Sequence, residues 1–143
     1  MPREDFQFSH RLRVRWAEID KQGIVFNGYY LTYFDVGVTE YYRAIGLRYP
    51  QDMAAAGSDF FAKRAELEYH APAEYDDEID VCMRVARMGT SSFDFKVEIY
   101  RGDTLLVSGA LVYVNADPAL RKSRPIPDFL REAIERFEKT APV

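Results

Sequence analysis

One amphipathic stretch, Tyr30 to Ile45, constrains the fold of this chain more than any other feature. Tyr30, Tyr33, Phe34, Gly37, Val38, Tyr41, Ala44 and Ile45 recur at helical spacing. They make an apolar stripe over about four turns, with Asp35, Thr39, Glu40 and Arg43 largely off it. Asn27 or Gly28 suits the N-cap and Gly46 the C-terminal stop. A helix so apolar along one side needs a broad surface to cover it. The runs that follow supply one: Phe60–His70, Glu78–Met88, Phe93–Tyr100 and Thr104–Asn115. The first three alternate with a period of two, and the fourth is apolar on both faces, which predicts an interior strand. In the first run Phe61, Ala65, Leu67 and Tyr69 are expected inward. Arg101-Gly102-Asp103 reads as a hairpin turn rather than an adhesion motif. The expected architecture is α+β, one antiparallel sheet around one long helix, with the last four strands in a meander.

The flanks complete this pattern. Phe6, Phe8, Leu12, Val14 and Trp16 share one face of a first strand, with Arg11, Arg13 and Arg15 on the other. Asp52–Ala56 is expected to form a short helical turn. After Pro125 and Pro127, Asp128–Lys139 predicts a final helix with Phe129, Leu130, Ile134 and Phe137 inward. At 143 residues the chain suits one domain, 1–143.

Composition removes several functional classes. The net charge of −4 lacks the basic footprint of a nonspecific nucleic-acid binder. The lone Cys82 cannot form an internal disulfide, so a cytoplasmic setting is expected. Two histidines, His10 and His70, with one distant cysteine give no zinc spacing, and no metal is expected. No run approaches the roughly 18 apolar residues of a membrane span. Glycine-rich phosphate loops and the GxSxG elbow are absent. Carboxylate chemistry remains.

The stretch Trp16–Tyr30, WAEIDKQGIVFNGYY, concentrates that chemistry. Asp20 stands ahead of a glycine turn, a short apolar run and the start of the long helix. A helix start offers free N–H groups and partial positive charge. A carboxylate beside it can attack, or activate water against, a carbonyl that the helix start polarises. Asp20 as a plain turn residue is the competing reading of the same positions.

Arg15-Trp16-Ala17-Glu18-Ile19-Asp20, Gly23-Ile24-Val25-Phe26-Asn27, Tyr30, Tyr33-Phe34 and Thr39-Glu40 resemble hotdog-fold acyl-CoA thioesterases of the 4-hydroxybenzoyl-CoA thioesterase type, a family that includes the Tol-Pal-associated enzymes. The likeness continues through Ala71-Pro72-Ala73, Asp76-Asp77, Ser92-Phe93 and Ile126-Pro127. It implies a curved antiparallel sheet wrapped around a central helix, pairing into dimers or tetramers with sites between subunits. It further implies hydrolysis of acyl-CoA to a free acid and coenzyme A, with no cofactor beyond the coenzyme A of the substrate. Asp20 would be the nucleophile or general base, and the Asn27 backbone N–H the oxyanion donor. Gly28, Tyr30, Thr90, Ser91 and Arg64 would contact substrate, with Lys63 a further candidate for the phosphates.

Two departures accompany the resemblance. Asn27 stands where many Tol-Pal-type relatives have histidine, and Gly89-Thr90-Ser91 stand where the 4-hydroxybenzoyl enzyme has basic residues. A noncatalytic acyl-CoA or acyl-carrier-protein binding module, and an enoyl-CoA hydratase or dehydratase, are the alternatives on the same fold.

Overall fold

The computed structural model describes residues 3–143. Its elements are β1 (Phe8–Arg13), α1 (Tyr29–Ala44), α2 (Gln51–Ala55), β2 (Asp59–Tyr69), β3 (Glu78–Met88), β4 (Ser92–Arg101), β5 (Thr104–Asp117), β6 (Lys122–Ser123) and α3 (Asp128–Phe137). One antiparallel sheet runs in the order β1-β3-β4-β5-β2, with β6 pairing with β5. β3, β4 and β5 form the expected meander. β2 does not join it: the Ala71–Asp77 connection carries the chain past β4 and β5, so that β2 pairs with β5 and β1 takes the place beside β3. The alternation within a run speaks of its faces but holds no information about which neighbour it chooses. β5 is interior, as its two apolar faces predicted.

The stripe of α1 lies in the hollow of this sheet. Tyr30, Tyr33, Phe34, Gly37, Val38 and Tyr41 are buried against Val81, Met83, Phe93, Phe95 and Leu111, among others. Each fully buried large apolar side chain contributes roughly 1.5–3 kcal/mol. Gly37 is required by proximity, since a Cβ there would stand 2.6 Å from the Met83 sulfur and 2.9 Å from a Val81 methyl.

β2 departs from its expected faces. Phe60 is buried, Phe61 and Ala65 are exposed, Leu67 is half-buried, and Tyr69, although 54% exposed, lays its ring against Tyr30. Register passes from Ala62↔Tyr113 to Arg64↔Val112, leaving Lys63 as the extra residue of a β-bulge that reverses side-chain parity. Two further inward expectations fail at element ends. Trp16 is 70% exposed because β1 stops at Arg13 and the chain enters a 3-10 turn, and Phe129 is exposed in the first turn of α3. The arginine face of β1 is paired rather than simply solvated. Arg11 holds buried Asp80, and Arg13 meets Asp76 and Glu78. No helix among the described residues is long and apolar enough to cross a membrane.

Candidate active site

Residues 18–26 fold into a miniature hairpin at the mouth of α1. The Glu18 carbonyl accepts from Phe26 N–H at 2.9 Å, Ile19 and Val25 form a bridge, and Asp20 N–H donates to the Ile24 carbonyl at 2.9 Å. Gly23, at φ +79°, closes the turn in a conformation that disfavours side chains, its N–H donating to the Asp20 carbonyl at 3.0 Å. Asp20 therefore sits half-buried at the hairpin tip, where one carboxylate oxygen accepts Gln22 N–H at 2.8 Å. The returning arm is pinned to the loop after β2 by Val25 N–H on the Ala73 carbonyl and by an Ile24–Glu74 bridge.

The helix opens directly from that arm. Gly28 is the N-cap, and the Phe26 carbonyl accepts from Tyr29 N–H at 2.9 Å. Phe26 C=O and Asn27 N–H belong to one peptide group, so this bond polarises the Asn27 donor. The Asn27 and Gly28 amides have no backbone acceptor among the described residues, as expected for the unpaired donors of a helix start. Together they can stabilise negative charge developing on an oxygen.

A cleft of about 410 Å³ lies beside this start, lined by Ile24, Val25, Asn27, Tyr30, Tyr69, His70, Ala71 and Pro72. Its lining is mainly apolar, suited to an acyl chain or ring. Of the expected site residues, Asn27 and Tyr30 line the cleft, and Asp20 and Gly28 lie outside its lining, on the hairpin turn and at the helix N-cap. Tyr30 is buried, accepts Ala73 N–H on its hydroxyl at 3.1 Å, and is held above the ordinary phenol range by burial. Tyr69 reaches from the end of β2 to contact the Tyr30 ring edge-on and to donate to the Asn27 carbonyl at 3.2 Å.

The remaining expected residues lie elsewhere on the subunit. β5 gives the scale: Tyr69 pairs with Val107, whereas Ser92 pairs with Val114. Those positions are about 23 Å apart along a strand, at roughly 3.3 Å per residue. Thr90 and Ser91 therefore stand at the far end of the sheet, their carbonyls accepting from Ile126 and Asn115 N–H. Arg64 is mid-strand on the exposed edge and pairs with Glu66. One subunit does not bring these residues to Asp20.

Three features of the site were missed in the sequence. Sequence alternation marks Tyr69 only as an inward strand residue. His70 borders the cleft, with its ring nitrogen 2.8 Å from the Ser108 hydroxyl. Glu18 is 2% exposed and bonds both Arg15 and Tyr33. Its one sequence signal was the Arg15–Glu18 spacing ahead of a tyrosine-rich helix. Glu40, by contrast, pairs with Arg43 on the exposed side of α1, as expected. Among the described residues no cluster of His, Cys, Asp or Glu has the grouping of a metal site.

A curled antiparallel sheet wrapped around one long helix is the hotdog fold. Residues 22–108, more than half of the chain, match the family model of the Thioesterase superfamily, and the chain belongs to that family. It is 27% identical over 121 residues to the Escherichia coli O6:H1 protein named acyl-CoA thioester hydrolase YbgC, covering 84% of this chain and 90% of that one. The Haemophilus influenzae acyl-CoA thioesterase YbgC is 29% identical over 122 residues, covering 85% and 88%. The crystal structure of a 1,4-dihydroxy-2-naphthoyl-CoA thioesterase from Synechocystis superposes with a TM-score of 0.82 over 89% of this chain and 94% of that one, at 20% identity, and so shares the fold.

Proposed function

We propose that this chain hydrolyses acyl-CoA thioesters, with Asp20 as the reacting carboxylate. The observation that carries the reading is the hairpin itself, in which Asp20 pairs with Ile24 and the returning arm runs through the cleft residues Ile24 and Val25 into the unpaired amides of Asn27 and Gly28. The names of the YbgC relatives supply the coenzyme A substrate class. In the reaction the thioester carbonyl is attacked, either by Asp20 itself or by water that gives its proton to Asp20. The carbonyl oxygen takes the negative charge and is held by the helix-start amides. Collapse breaks the C–S bond, and the thiolate leaves and is protonated to free coenzyme A. Attack by Asp20 leaves an acyl anhydride that water then opens. One oxyanion donor is worth about 3 kcal/mol in such a step. Asn27 acts through its backbone, since its side-chain amide cannot shuttle protons.

The same reading extends to a two-fold dimer. β2 is a long edge strand, exposed from Phe61 to Glu66, and an unpaired edge is a template for another chain. Antiparallel pairing of β2 with its own copy sets opposite strand ends side by side. The partner's Thr90–Ser91 turn would then share one end of a continuous sheet with this subunit's Asp20 hairpin.

The test is thiol release from a panel of acetyl-, hexanoyl-, palmitoyl- and benzoyl-CoA by wild type and Asp20→Asn. Loss of about a hundredfold or more in kcat is expected on the best substrate. Wild-type turnover by Asp20→Asn overturns the assignment. Binding without turnover by the wild type across the panel favours a noncatalytic module instead.

A further inference from the structure

Glu18 is a buried carboxylate bonded at both oxygens, and the proposed chemistry does not use it. One oxygen accepts Arg15 N–H at 2.8 Å and the Tyr33 hydroxyl at 2.9 Å. The other accepts Arg15 Nε at 2.8 Å and Nη2 at 2.6 Å. Its backbone carbonyl accepts Phe26 N–H. The residue is thus tied to three places at once: the chain entering the hairpin, the arm leaving it, and α1 one turn beyond its start.

We propose that Glu18 is a positioning residue, which fixes the Asp20 hairpin against α1 so that the carboxylate and the helix-start amides face one substrate carbonyl. This rests on the reading of Asp20 as the reacting group. Three observations support it. First, the returning arm of the hairpin runs into α1 through Phe26, and its pins through Val25 and Ile24 go to the loop after β2, whereas the Tyr33–Glu18 bond ties the entering arm, which carries Asp20, to α1 by a side chain. Second, Arg15 is itself 78% exposed, and an ion pair with a solvated partner adds little net stability. A charged group here is better explained by directional hold than by energy. Third, burial opposes the charge on Glu18, yet the bonds from Arg15 and Tyr33 outweigh it and keep the carboxyl below its ordinary range. It therefore remains an acceptor for all four donors at neutral pH.

The experiment measures kcat and KM for acyl-CoA hydrolysis by Glu18→Gln and Tyr33→Phe, with folding checked by circular dichroism and urea melts. Gln presents an N–H₂ group to donors of Arg15 or Tyr33, whereas Tyr33→Phe removes only the link to α1. The expected result is a fall in kcat of about tenfold or more in folded protein, with KM nearly unchanged, since small misplacements of reacting groups are costly in rate. Folded variants that keep wild-type kcat overturn the proposal. So does a fall in kcat that merely tracks the loss of folded protein. If Glu18→Gln does not fold, Tyr33→Phe decides the matter alone. Asp20→Asn run in parallel separates the two claims: wild-type turnover there removes the Asp20 reading itself, whereas an inactive Asp20→Asn beside fully active brace variants removes only the role of Glu18.

Discussion

The Tyr69 hydroxyl donates to the Asn27 carbonyl at 3.2 Å, joining the last residue of β2 to the turn that opens α1. The Asn27 carbonyl shares its peptide group with Gly28 N–H, so the bond strengthens that amide as a donor. Tyr69→Phe removes the bond and leaves the ring in place. We predict a fall of about three- to tenfold in kcat/KM, matching the roughly 1 kcal/mol of such a bond, with little change in the urea midpoint. Steady-state kinetics beside a denaturation curve checks both halves.

If sites form between subunits, two inactive variants complement one another. Asp20→Asn damages one half of each site and Ser91→Trp blocks the other. A heterodimer of the two carries one doubly altered site and one unaltered site. Random exchange makes half the molecules heterodimers, so the mixture should regain about a quarter of wild-type turnover. Refolding the two together and assaying thiol release measures this. No recovery from a mixture shown to exchange subunits means that each site is built within one chain.

Gly109 of β5 is packed against its neighbours more tightly than any other glycine. A Cβ there would lie 2.1 Å from the Glu66 carbonyl oxygen and 3.0 Å from the Phe34 ring. The backbone of β2 cannot give way as a flexible side chain can. Gly109→Ala should cost at least about 2 kcal/mol, read as a lowered urea midpoint. It should also loosen β2 and weaken self-association.

Glu138, just past α3, is buried, accepting the Tyr41 hydroxyl at 2.6 Å and Val85 N–H at 3.0 Å. Burial raises its pKa in the folded protein, against the pull of those bonds. The folded state therefore holds this proton more tightly than the unfolded chain does. Stability from this group is full below the unfolded value of about 4.3 and falls as pH rises to the raised folded value, beyond which the loss is constant. Glu138→Gln keeps an acceptor and has no charge to desolvate. Its stability relative to wild type should rise with pH across that window and then level. Urea melts of both proteins from about pH 4 to pH 8 give the curve; a steady relative gain by wild type contradicts the sign.

Much of this fold was legible because periodicity speaks directly about faces. The stripe from Tyr30 to Ile45 demanded a sheet, and the alternation of Phe93, Phe95, Val97 and Ile99 supplied its core. Strand order was not legible, since choosing β5 over β3 as the partner of β2 depends on how the Ala71–Asp77 connection travels. At the site, Asp20 and Asn27 stood out by their place ahead of the helix. Glu18 did not, because a glutamate between Ala17 and Ile19 looks like any solvated charge until Tyr33 folds over it. Tyr69 and His70 were equally opaque, for their roles depend on a bulge six residues upstream of Tyr69.

That bulge acts at a distance. With Phe60 anchored in the core, the extra residue Lys63 makes Tyr69, rather than His70, the side chain that meets Asn27. Deleting the Lys63 codon would remove the bulge and leave Tyr69 on the same face, whereas a strand that kept Lys63 within its ladder would turn His70 there instead. Whether this one residue is bulged out or taken into the ladder thus decides whether a phenol or an imidazole forms the cleft wall, with every residue of the Asp20 hairpin untouched.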